Sequence, residues 1–150
     1  MGKLSDYLAL ARTRAEQLKV PYAGALTPRE AHDLLQLAPG AKLVDVRTHA
    51  EQHYVGRVPG AVEIEWQSYP TNQANPNFLT QLGQQVDREA LVMFLCRSGA
   101  RSHAAAKAAT AAGFTNCYNV LEGFEGDKDA NHHRNTVGGW RASGLPWTQS

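Results

Sequence analysis

The run Leu91-Val92-Met93-Phe94-Leu95 is the most apolar stretch of the chain, and it ends directly on Cys96. A short, wholly apolar run of this kind reads as a strand buried on both faces, as in the centre of a parallel sheet. The stretch that follows, 101–112, is rich in alanine and reads as a helix, closed by Gly113. Its small side chains let it pack closely on a sheet. A buried strand, a tight turn and a helix form half of a βαβ unit. Ligands of such folds bind beyond the carboxyl ends of the strands, where Cys96 sits.

The rest of the chain fits the same plan. Leu4, Leu8, Ala11, Ala15 and Leu18 recur at helical spacing, so 4–19 reads as an amphipathic helix, capped by Ser5 or Asp6 and ended by Pro21. Thr27-Pro28-Arg29-Glu30 is a capping box with proline at the first helical position. Ala31, Leu34, Leu35 and Ala38 form the stripe behind it, and Pro39-Gly40 stops that helix. Leu43-Val44-Asp45-Val46 reads as a buried strand with an anomalous Asp45, and 61–65 as a further strand. The segment 72–77 reads as loop; Phe78, Leu82 and Val86 suggest a helix, and 117–120 a last strand. Strands alternating with helices predict one α/β domain, doubly wound, with a mainly parallel sheet of about five strands and helices on both faces.

Charge and cysteine content narrow the function. A net charge of +1 gives no bulk attraction to nucleic acid or anionic membrane, so any positive site is local. No run reaches the roughly 20 apolar residues of a membrane span. The first 20 residues mix both charge signs and lack the apolar core of a signal peptide, which predicts a cytoplasmic protein. Two cysteines, Cys96 and Cys117, make neither a disulfide framework nor a metal-type pair, and suit a reducing compartment. Cys117 reads as buried and inert, and His103 has no evident role as a base.

The string Cys96-Arg97-Ser98-Gly99-Ala100-Arg101 therefore concentrates the chemistry. A helix N-terminus presents unpaired N–H groups and a partial positive charge, which favour the nucleophilic thiolate form of a thiol placed there. Arg97 and Arg101 add charge. Gly99 lets successive N–H groups turn inward as an anion nest. With four residues between Cys96 and Arg101 the ring is small, better suited to a sulfane sulfur or a sulfonate than to a phosphate ester.

These residues resemble the rhodanese family, and the likeness extends beyond the loop. Cys96 to Arg101 is similar to its six-residue active-site loop, and Leu43-Val44-Asp45-Val46-Arg47 to its first-strand motif. Glu51 with Gly56-Arg57-Val58-Pro59-Gly60-Ala61 resembles a second motif. Leu121-Glu122-Gly123, Gly139-Trp140 and Gly144-Leu145-Pro146 resemble the closing motif. The resemblance runs from about Thr27 to Trp147, leaving 1–26 as a helical extension before a domain of 27–150. It implies a sulfurtransferase in which Cys96 is the nucleophile and passes sulfur as a persulfide by ping-pong steps. Arg97, Ser98, Gly99, Ala100 and Arg101 would bind substrate. The donor would be a small molecule such as thiosulfate, and the acceptor cyanide, a thiol or a protein. No metal or organic cofactor is implied. Asp45, Arg47 and Glu51 are expected to form a structural ion-pair set beside the site.

Two departures stand out. Arg57 replaces the usual histidine and is expected at the surface. The stretch 124–137, with Asp127, Lys128, Asp129, His132, His133 and Arg134, looks inserted; it reads either as a solvated loop or as a rim or lid over the site. Trp66 and Tyr69 are candidates for the pocket wall or for packing. Two other functions stay open. A phosphatase or arsenate reductase on the same fold would have five residues between Cys and Arg. A sulfur-carrier or regulatory module would depend on a partner.

Overall fold

The structure, a computed structural model, describes residues 2–149. Its elements are α1 (Lys3–Leu18), β1 (Gly24–Leu26), α2 (Pro28–Leu37), β2 (Lys42–Asp45), α3 (His49–Tyr54), β3 (Val62–Glu63), α4 (Phe78–Gln85), β4 (Leu91–Leu95), α5 (Ala100–Ala111) and β5 (Asn116–Val120). The five strands form one sheet in the order β1-β5-β4-β2-β3, and every pairing is parallel. This is the expected α/β sheet, with β4 at its centre.

Side-chain alternation along the strands sorts two cores. Val92, Phe94 and Cys96 face α4 and α5, packing with Phe78, Leu82, Ala105, Ala106 and Ala109. Met93 and Leu95 face the other way, toward Ala11, Ala31, Leu34 and the closing residues Phe124, Trp140 and Leu145. Strand β5 alternates likewise: Cys117 belongs to the α5 side, Tyr118 and Val120 to the opposite core. Asn119 is therefore aimed at α5, on the same side of the sheet as Cys96. Helices cover both faces, as the apolar strand had implied.

Helix α2 begins with the expected capping box, Thr27 receiving the Glu30 N–H while Glu30 receives that of Thr27. Helix α1 differs at both ends. Gly2 is its N-cap without a side-chain bond, and it ends on Lys19 in the left-handed conformation, before Pro21 is reached. Strand β1 lies within the segment assigned to the extension, yet it pairs with β5 and is wholly buried. Strand β3 has two regular residues, although the ladder continues through Ile64 N–H to Asp45 O and Trp66 N–H to Val46 O. Helix α3 was not expected; Thr48 and Glu51 form its capping box. No helix among the described residues is long and apolar enough to cross a membrane.

Candidate active site

Cys96 leaves β4 at its carboxyl end and the chain turns over 96–99 into α5. Gly99, the N-cap of α5, has φ +112°, a conformation glycine adopts without strain. A Cβ there would have room, its nearest neighbour lying 3.7 Å away, so the dihedral rather than space selects glycine. This turn aims the Gly99 N–H at Cys96 Sγ, 3.0 Å away. The sulfur is buried, the residue being 1% exposed. Behind it, Ser102 Oγ lies 3.3 Å from Sγ and donates to Asn119 Oδ1 at 2.5 Å. Asn119 Nδ2 donates in turn to Gly99 O at 3.2 Å.

The loop is gripped from outside as well. Phe124 N–H donates to Cys96 O, and the N–H groups of Glu125 and Gly126 both donate to Arg97 O. That approach needs Gly123, because a Cβ there would lie 2.5 Å from Cys96 O and from Arg97 C. With its outer carbonyls occupied, the loop turns the Gly99 N–H toward the sulfur. A helix N-terminus with an inward N–H favours negative charge at this point.

The two loop arginines have different circumstances. Arg101 forms a two-pronged pair with Glu51, Nη1 to Oε1 at 2.7 Å and Nη2 to Oε2 at 2.9 Å. Burial alone would raise the Glu51 pKa, but the Arg101 hydrogen bonds and charge, with the Thr48 N–H and the Arg47 charge, hold it at about 2. Burial works against the Arg101 charge, and Glu51 outweighs it, so its pKa is raised. Arg101 is thus a fixed cation. Arg97 is exposed, and its side chain makes no hydrogen bond or ion pair among the described residues. Ser98 and Ala100 complete the loop and line the cavity.

The expected ion-pair set is divided. Asp45 and Arg47 pair with each other, both fully buried, Nη2 to Oδ2 at 2.7 Å. Asp45 Oδ1 takes the Arg47 N–H and Nε–H, and Arg47 Nη2 also reaches Gly56 O. The guanidinium lies 4.1 Å from the Phe124 ring centroid. Glu51 instead joins Arg101, tying the N-terminus of α3 to the active loop.

A cavity of about 480 Å³ opens over the sulfur, walled by Thr48, Glu51, Gln67, Tyr69 and Asn72 opposite the loop. Tyr69 is 68% exposed at its edge. Trp66 packs edge-on against Phe78 instead. No residue of 124–137 lines this cavity, so the segment is not its rim. Its first residues hook behind the loop, and Asp129 is committed to its own turn, accepting N–H groups of Asn131 and His133 and the Thr136 hydroxyl. Gln67, Asn72, Ser102 and Asn119 were not anticipated. Asn119, polar within an apolar strand, carried the same signal as Asp45, and Thr48-x-x-Glu51 is a legible capping box.

A parallel α/β domain that gathers a buried thiol, an inward Gly99 N–H and two arginines at one strand end has the chemical means to hold a small anion against sulfur. The chain belongs to the rhodanese-like domain family, whose model matches residues 27–130. An uncharacterized protein of Rickettsia conorii is 37% identical over 121 residues, covering 79% of this chain and 91% of that protein. Thiosulfate sulfurtransferase 16, chloroplastic, of Arabidopsis thaliana is 31% identical over 134 residues, covering 88% and 97%. Among solved structures, Rv0390 from M. tuberculosis superposes with a TM-score of 0.79 at 47% identity, covering 86% of this chain and 99% of that one.

Proposed function

We propose that the protein is a sulfurtransferase acting through a Cys96 persulfide. The observation that carries this reading is the Gly99 N–H on Sγ at 3.0 Å within a loop of four residues between Cys96 and Arg101. The family and the similarity to a thiosulfate sulfurtransferase support it. The Cys96 thiolate attacks the outer sulfur of thiosulfate, the sulfur–sulfur bond of the donor breaks, and sulfite leaves with the bonding pair. Cys96 then carries a sulfur whose negative charge the inward amides stabilise, a pre-set electrostatic role. An acceptor — cyanide, a thiol or a protein cysteine — takes the outer sulfur and releases the thiolate, a ping-pong cycle that needs no organic cofactor. Arg97 guides the anionic donor in; Arg101, fixed by Glu51, holds the loop and its field. Two free thiols suit a reducing cytoplasm, where we place the protein.

The test is intact mass after brief exposure to thiosulfate. A gain of one sulfur, about 32 Da, on the native chain and not on Cys96→Ser, lost again with cyanide, is the expected result. No adduct on a folded chain, together with hydrolysis of an aryl phosphate, would instead assign a phosphatase.

A further inference from the structure

The polar pair behind the sulfur has a fixed direction. Gly99 O accepts from Asn119 Nδ2 and from the His103 N–H. The reversed amide would set Oδ1 against that carbonyl, acceptor facing acceptor, so Asn119 keeps Oδ1 toward Ser102. Ser102 has one proton, and the 2.5 Å contact to Oδ1 takes it. Toward Cys96 Sγ, 3.3 Å away, Ser102 therefore offers only a lone pair. Ser102 and Asn119 are nearly or wholly buried, so no water competes for these bonds.

We propose that Ser102 and Asn119 are positioning residues that set the protonation of the nucleophile: Asn119 holds the Ser102 hydroxyl as an acceptor toward Sγ. In its protonated form Cys96 donates the S–H to Ser102. A bare thiolate loses that bond and faces a lone pair. In the persulfide the inner sulfur has neither proton nor charge, and the negative charge has moved to the outer sulfur among the amides. The pair thus favours the thiol and the sulfur-loaded form over the bare thiolate. The proposal rests on Cys96 being the nucleophile, but not on sulfur transfer.

The charged groups facing the sulfur are Arg97 on the loop and Arg101 on α5, the latter paired to Glu51 of α3. On the α5 side, the Tyr22 hydroxyl meets His103 Nδ1 at 2.8 Å and also hydrogen-bonds with the Asn119 side chain. None of these charged or titratable groups is itself substituted in the variants tested. The experiment is the rate of Cys96 alkylation by iodoacetamide against pH, in a Cys117→Ser background.

Ser102→Ala removes the thiol's acceptor, so the profile moves to lower pH and the rate at about pH 6 rises roughly three- to tenfold. Asn119→Ala frees the hydroxyl to turn and donate to the thiolate, giving a larger shift in the same direction. The double variant matches Ser102→Ala alone. A slower reaction in Ser102→Ala would show that the hydroxyl donates to the thiolate and would overturn the proposal. So would an unchanged profile, or an Asn119→Ala effect that persists without Ser102. Because alkylation needs no donor or acceptor, failure here is distinct from absence of the persulfide.

Discussion

Glu51 and Arg101, fifty positions apart, meet in two parallel hydrogen bonds of 2.7 and 2.9 Å at the mouth of the site. The same carboxylate accepts the Thr48 N–H and hydroxyl, so one side chain both caps α3 and anchors α5. Glu51→Gln keeps the size and loses the charge. It is expected to lower stability by about 1.5–3 kcal/mol, the range for a bond to a charged group. It should also reduce kcat/KM for thiosulfate at least about tenfold, because a loosened Arg101 no longer fixes the loop. Denaturant titration and steady-state kinetics check the two effects separately.

The acid limb of stability follows from the same carboxylate. Its pKa falls from 4.5 to about 2 on folding, so the folded chain favours the ionised form. The stabilisation is complete above the unfolded value and is lost as pH falls through the folded one. The stability gap between the native chain and Glu51→Gln should be constant at neutral pH and shrink between about pH 4.5 and 2. A gap independent of acid would contradict the assignment.

Arg97 is expected to act through substrate capture. It is exposed and lines the cavity, so Arg97→Ala should leave stability within about 0.5 kcal/mol. The KM for anionic donors should rise roughly threefold or more, and the difference from the native chain should fade as salt is added. Kinetics at low and high ionic strength measure it.

Gly123 tests the outer grip. Gly123→Ala combines φ +63° with a Cβ 2.5 Å from the loop backbone. A loss of roughly 3 kcal/mol or more is expected, as for strain at a special dihedral joined to overpacking. If the variant still folds, hydrogen exchange should speed up at 96–99 before it does in β4.

The wall of the cavity should matter more than the polar segment beyond it. Tyr69→Ala should change KM for a bulky acceptor with little change in stability, since the ring is mostly exposed. Replacing His132 and His133 by alanine should leave both constants unchanged, because neither lines the cavity. Paired kinetics with cyanide and a larger thiol separate these cases.

The strand-loop-helix unit around Cys96 was legible because its signals are local: an apolar run, a cysteine, a glycine, then alanines. The α2 capping box was legible for the same reason. Strand β1 was not, since Gly24-Ala25-Leu26 has neither length nor alternation and is a strand only because β5 lies beside it. The partner of Glu51 was equally hidden. Its distance from Arg47 is short in sequence, while Arg101 comes to it only through the β2–β4 pairing. Asn119 shows the limit most clearly. Its anomaly was visible, but the direction of its bonds depends on where Gly99 O points in the folded chain.

The loop backbone is sorted by polarity: the carbonyls of Cys96 and Arg97 are engaged from outside and that of Gly99 from α5 and Asn119, while the Gly99 N–H points at the sulfur. On the proposed persulfide cycle, charge that moves by one bond, from inner to outer sulfur, would stay beside the same N–H and helix N-terminus. Little of the frame has reason to rearrange between empty and loaded states. A partner that must recognise the loaded form would have to read the sulfur itself, through the open mouth, rather than a change of shape relayed to a distant surface.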